Sequence, residues 1–146
     1  RVPFVKTLMK SVSNRAQQRG QIRTLLGRLC RFHLWEPNRF GINKALPFEQ
    51  AVQEHGQGNI RRAYTYKALN KLIQGSAADM TKKSMLDLYK EGIIAHIQIH
   101  DELDLSVESP EQAKKVVEIM ENAVKLDVPN KVDYESGKNW GDIYDK

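Results

Sequence analysis

The sequence predicts an α+β domain with an antiparallel sheet. Three observations carry this prediction. Long stretches repeat apolar residues at helical spacing, and short stretches alternate with period two. The alternating stretches also come in neighbouring pairs joined by turn residues, which is hairpin rather than crossover patterning.

The first helix is predicted over Pro3 to Arg19. Val5, Leu8, Met9 and Val12 recur at helical spacing, proline is tolerated in a first turn, and Gly20 supplies the stop. A hairpin follows over Gln21 to Phe32, two short apolar stretches flanking a turn at Gly27-Arg28. It concentrates Arg23, Arg28 and Arg31 on one short element. From His33 to Asn59 the pattern weakens under Pro37, Gly41, Pro47, Gly56 and Gly58, with one short helix over Pro47 to Glu54. A connection this long is uncommon in a compact domain and reads as an insertion.

Arg61 to Lys90 reads as a long helix rich in alanine, leucine and methionine. Gly75 inside it costs about 1 kcal/mol against alanine, which suggests close approach to the backbone there. Ile93 to Val107 alternates through Ile97, Ile99, Leu103, Leu105 and Val107, interrupted at His100-Asp101-Glu102. That predicts a hairpin with three polar residues at its turn. Ser109, Pro110 and Gln112 form a capping box for a helix to about Lys125, with Ala113, Val116, Val117, Met120 and Val124 inward. Lys131 to Glu135 reads as a last strand, and Gly137 to Trp140 opens a tail. Trp35 and Trp140 read as packing residues.

The 146 residues carry 40 % hydrophobic and 28 % charged side chains, enough apolar surface for a core. A formal net charge of +5 favours a polyanionic partner. No apolar run approaches the roughly 20 residues of a bilayer span, so no membrane role is expected. The single cysteine, Cys30, excludes an internal disulfide framework and suits a reducing compartment.

Two groups of residues could carry chemistry. Asp101 and Glu102 are adjacent carboxylates at a turn, the donor type that Mg²⁺ takes one or two of while keeping waters and substrate phosphates. A solvated acidic turn has the same spacing, so both readings stand at this point. His96 and His100 with Gln98 between them would share a strand face, but no third zinc ligand is evident. On the long helix, Asn70 and Gln74 lie four apart on one face, and Lys67 and Lys71 four apart on a neighbouring one. Lysines can meet phosphates and amides can meet base edges. A solvated amphipathic helix is the alternative.

Together these pieces resemble the C-terminal palm portion of a family A, polymerase I-like DNA polymerase of bacteriophage type. Thr24-Leu-Leu-Gly-Arg28 is similar to that family's T-L-x-G-R hairpin. Asn70-Lys-Leu-Ile-Gln-Gly-Ser-Ala-Ala-Asp79 is similar to its N-x-x-x-Q-G-[ST]-A-A-D helix. Gln98-Ile-His-Asp-Glu102 is similar to its H-D-E motif, and the three appear in family order. The tail at Trp140 also looks like the family's.

The resemblance implies an antiparallel palm sheet with packed helices over residues 1–146, His33 to Asn59 being an insertion. It implies template-directed nucleotidyl transfer from a dNTP to a primer 3′-hydroxyl by two-metal Mg²⁺ catalysis. Asp101 then matches a metal-binding aspartate, Glu102 its auxiliary neighbour, and His100 a residue at the primer end. Gln74 and Asn70 match residues near the minor groove. Arg28 matches an arginine along the duplex, with Arg23, Lys67 and Lys71 as further DNA contacts. The implied partners are primer–template DNA, dNTP and an upstream polymerase segment. That segment would carry the first catalytic aspartate and the fingers helix, neither of which has a counterpart here. The chain is therefore expected to be a fragment or split subunit, inactive alone and working in the cytoplasm of a host cell. The alternative is a non-catalytic DNA-binding module derived from such a palm.

Overall fold

The computed structural model describes residues 3–41 and 43–144. It divides into two compact units, Arg1–Asp79 and Met80–Lys146. Among the described residues, no helix is long and apolar enough to cross a membrane.

In the first unit, helix α1 spans Pro3–Arg19. Val12 and Ala16 are buried against Ile22, Phe32 and Ala68, with Cys30, Leu69 and Leu72 packed around them. Val5, Leu8 and Met9, read from their spacing as the same inward face, are exposed. Gly20 ends α1 with φ +68°, its N–H donating to Ala16 O at 2.9 Å. A Cβ at Gly20 would stand 2.7 Å from the guanidinium carbon of Arg62, which is held by Gln17 O and Phe32 O, so space adds to the conformational demand for glycine.

Strands β1 (Gln21–Arg23) and β2 (Leu29–Arg31) pair antiparallel with Ile22 opposite Cys30. The turn centres on Leu25-Leu26 rather than on Gly27-Arg28. Gly27 N donates back to Thr24 O at 2.9 Å, and Gly27 takes φ +87°. A turn closed by a glycine of positive φ is a usual hairpin solution.

The stretch 33–59 is folded, not structureless. Strand β3 (Trp35–Pro37) pairs antiparallel with β4 (Ile60–Arg62), and helix α2 (Phe48–His55) lies between them in sequence. The Trp35 ring meets Phe48 at 5.0 Å, and Trp35 exchanges backbone hydrogen bonds with Leu46.

The long helix α3 spans Ala68–Lys90, so it starts seven residues later than the expected Arg61. Two facts explain the shift. Arg61 and Arg62 are taken up by β4, and Tyr64 adopts φ 61°, which no α-helix continues through. A 3₁₀ turn, Thr65–Lys67, then leads into α3.

The boundary between the units falls inside α3. In the second unit, Leu88, Ile93 and Val116 form the core, with Leu103, Leu105, Val107, Ile119 and Met120 around it. Strands β5 (Ile97–Ile99) and β6 (Glu102–Asp104) pair antiparallel. Helix α4 spans Pro110–Asn122. Its cap is reciprocal as expected: Gln112 N donates to Ser109 Oγ at 3.2 Å, and Glu108 N donates to Gln112 Oε1 at 2.6 Å.

Residues 131–135 form no strand. Val132 N donates to Glu121 Oε1 and the Asn130 amide donates to Met120 O, so side-chain ties to α4 stand where a ladder was expected. Trp140 is exposed rather than packed, and the four-residue helix α5 (Gly141–Tyr144) follows it. The α+β class stands. Among the described residues its strands form three two-stranded antiparallel ladders.

Candidate functional site

In the second unit, Ile97 pairs with Asp104, Gln98 with Leu103 and Ile99 with Glu102. That register leaves His100 and Asp101 as a two-residue loop. Such loops demand positive φ, usually from glycine, asparagine or aspartate. His100 supplies it at φ 51°. A non-glycine residue there costs about 1–2 kcal/mol, and strain of this kind concentrates where geometry serves function. Gln98 Nε2 donates to His100 O at 2.5 Å and holds the turn. On the other side of β6, Leu103 packs on the core.

His100, Asp101 and Glu102 are all exposed. His96 does not share a strand face with His100, which lies in the turn. Its Nε2 instead lies 3.2 Å from Ser106 Oγ. Among the described residues, no group of three His, Cys, Asp or Glu is placed to hold a metal ion. The donor set at the turn is two adjacent carboxylates. That fits Mg²⁺ chemistry as a partial set, completed by waters, phosphates or further ligands.

Asp104 was passed over in the sequence. It lies two residues beyond Glu102, so period two puts both on one strand face. Its Oδ2 is buried with no hydrogen-bond partner among the described residues. The only signal in the sequence was a second aspartate in D-E-L-D.

In the first unit, the hairpin turn is fastened to α3. Thr24 Oγ1 donates to Asp79 Oδ2 at 2.5 Å, and Arg28 Nε donates to Asp79 Oδ1 at 2.6 Å. Arg28 Nη2 donates to Gly75 O at 2.8 Å, and Leu25 N donates to Ser76 Oγ at 3.0 Å. Asp79 is buried, while half of Arg28 remains exposed. Gly75 is where the backbones approach: a Cβ there would meet Thr24 Cγ2 at 3.0 Å and Arg28 Nη2 at 3.2 Å. Close approach at Gly75 was expected, but the roles of Thr24 and Asp79 were not. Arg28, read only as a DNA contact, thus also has a structural task.

Asn70 and Gln74 are exposed on α3, one helical turn apart. Arg23 is exposed, and its Nη1 donates to Gly27 O at 2.9 Å. Lys67 lies in the 3₁₀ turn, not on the helix with Lys71. Its Nζ stands 5.3 Å from the Tyr64 ring and 5.6 Å from the Tyr66 ring, while Lys71 Nζ stands 5.2 Å from Phe32. Both lysines are exposed, so cations and aromatic faces are presented together. Tyr64 and Tyr66 were missed in the sequence, where they read as helix interior.

Comparison with known proteins gives a consistent result. A family model described as DNA polymerase family A matches residues 1–142. A DNA-directed DNA polymerase of Pseudomonas phage M6 is 38 % identical over 141 residues, covering 97 % of this chain and 18 % of that protein. DNA polymerase I of Bacillus caldotenax is 38 % identical over 149 residues, covering 96 % of this chain and 15 % of that protein. The chain thus spans less than a fifth of the length of either relative. Among solved structures, the POL domain of Pol1 from M. smegmatis, in complex with DNA primer-template and dNTP, matches with TM-score 0.60 and 30 % identity, over 88 % of this chain and 21 % of that one. The hairpin clamped to α3 and the H-D-E turn lie within the matched residues, and the chain belongs to DNA polymerase family A.

Proposed function

We propose that this chain supplies the H-D-E part of a DNA polymerase active site and part of its grip on primer–template DNA. The observation that carries the reading is the His100–Asp101 turn, which in a family A chain presents two adjacent exposed carboxylates on a strained tip. The reaction is attack of a primer 3′-hydroxyl on the α-phosphate of a dNTP, with pyrophosphate leaving.

Asp101, with Glu102 beside it, would hold Mg²⁺. When bound, the ion polarises the phosphate and favours the ionised hydroxyl. His100 offers a ring nitrogen to the primer end. Asn70 and Gln74 offer amide N–H groups to minor-groove acceptors, which recur among base pairs and so suit a polymerase that must copy every sequence. Arg23, Arg28, Lys67 and Lys71 meet phosphates, giving salt-dependent affinity. In this reading an upstream polymerase segment brings the other catalytic aspartate and the fingers helix, and the chain alone is inactive. Its setting is the cytoplasm of the host cell.

Primer extension with the upstream segment supplied tests the reading. Asp101→Ala is expected to lower the extension rate by about a hundred-fold or more, with duplex affinity kept within about two-fold of the unsubstituted protein. Extension unchanged by Asp101→Ala would leave a non-catalytic DNA-binding module as the function.

A further inference from the structure

The arm formed by residues 33–62 has no part in the chemistry above, yet it ends in a built tip. Asn38 N donates to Asn59 O at 2.6 Å, and Arg39 N donates to Pro37 O at 2.8 Å. The Asn43 amide donates to Arg39 O at 3.2 Å and to Gly41 O at 3.3 Å, while its Oδ1 accepts from Arg39 Nε at 3.4 Å. Gly41 takes φ +126°, open to glycine alone. Beside these hydrogen bonds Phe40 stands at 107 % exposure, a ring fully in solvent.

Beneath it lies a cleft of about 470 Å³ lined by Asn38, Arg39, Phe40, Gly41 and Arg61. Arg61 Nε donates to Glu36 Oε1 at 2.9 Å. Glu36 offsets one charge and orients the guanidinium. Among the described residues, the terminal nitrogens of Arg61 have no hydrogen-bond partner. Arg39 adds a second cation. Beside Phe40, the described side chains of this lining are those of Asn38, Arg39 and Arg61, all hydrogen-bond donors. An exposed ring flanked by arginines is the arrangement that takes a base on the ring and a phosphate on the cations.

We propose that this tip binds single-stranded polynucleotide, one base stacking on Phe40 and an adjacent phosphate lying between Arg39 and Arg61. That the strand is DNA rests on the polymerase reading above; the site itself does not. For a polymerase, such a site would hold unpaired template.

Fluorescence anisotropy on the full chain tests this with labelled dT15 and a labelled 15-base-pair duplex as probes. Phe40→Ala is expected to weaken dT15 binding about ten-fold and to leave duplex binding unchanged. Phe40→Leu, which keeps apolar bulk without a π-face, should lose nearly as much. Arg39→Ala and Arg61→Gln should each weaken dT15 binding and flatten its salt dependence. Phe40 is fully exposed, so its variants should melt with the parent. Arg61 is tied to Glu36, so its melt is checked, and Arg39→Ala carries the charge test if it differs. Affinity for dT15 within two-fold of the parent in Phe40→Ala and Arg39→Ala overturns the proposal. Displacement of dT15 by dTMP at equal nucleotide concentration also overturns it, in favour of a mononucleotide site. Binding of duplex but not of dT15 by the parent sinks the tip site alone. Binding of dT15 with the expected losses, but no duplex binding, sinks the duplex grip alone.

Discussion

Arg28 Nε meets Asp79 Oδ1 at 2.6 Å across 51 residues of sequence, and Thr24 holds the other oxygen of the same carboxylate. Burying a carboxylate costs less when both its oxygens are hydrogen-bonded. The Asp79 carboxylate thus ties the hairpin turn to α3, beside the hydrogen bonds to Gly75 O and Ser76 Oγ. Arg28→Met removes the guanidinium from that carboxylate. Because half of Arg28 is exposed, the loss should fall below that of a fully buried pair, at about 2 kcal/mol. Urea unfolding at neutral pH measures it. A midpoint unmoved by the substitution would show that the pair contributes nothing.

Gly75→Ala should also destabilise, although alanine gains about 1 kcal/mol over glycine in a helix interior. The added methyl would press on Thr24 Cγ2 at 3.0 Å. Thr24 cannot rotate away, because its hydroxyl is held by Asp79. A thermal melt should show a lower Tm than the parent; a higher one would mean that the hairpin gives way freely.

Asp104→Val should stabilise by about 1 kcal/mol. Oδ2 of Asp104 is buried and unpartnered, and replacing such a group with an apolar one of similar size relieves a desolvation cost. Valine also suits a strand. Chemical denaturation decides, and destabilisation would mean that the carboxylate has a partner in solution.

His100→Gly should separate stability from activity. Glycine takes positive φ freely, so the hairpin should gain about 1 kcal/mol. Primer extension with the upstream segment should meanwhile fall, because the ring nitrogen is lost. A variant as active as its parent would reduce His100 to a turn residue.

The acid limb of stability should contain a contribution from Asp87. The hydrogen bond from Lys83, aided by the charges of Lys83 and Lys90, holds its carboxyl below the ordinary value of 3.8. A depressed carboxylate stabilises fully above its unfolded pKa and loses that contribution as pH falls through the folded one. Unfolding of parent and Asp87→Asn should therefore differ at pH 6 and converge below pH 3.8. A gap that persists in acid would assign the effect to packing.

What the sequence disclosed was local. The cap at Ser109 needs only residues within a turn of each other, and the alternation around His100 spans one hairpin, so both were legible. The start of α3 was not, because Arg61 and Arg62 are held in a strand by Trp35 and Glu36, which lie 25 residues or more upstream. The three-residue strands of the arm are too short for period two to register. The apolar pattern of α1 ran true as a helix but overstated its core, since only its second half meets Ile22 and Phe32. At the site, the residue types at the turn could be read directly. The clamp could not, because neither Thr24 nor Asp79 signals its partner.

The ring of Thr24, Arg28, Gly75, Ser76 and Asp79 also limits how such chains can be recombined. A chimera that takes residues 24–28 from one polymerase and 75–79 from another inherits two halves of a lock. Where the donors differ at any of these positions, the hybrid should fold poorly even if each half is sound in its own parent. Crossovers placed before residue 24 or after residue 79 leave the lock whole.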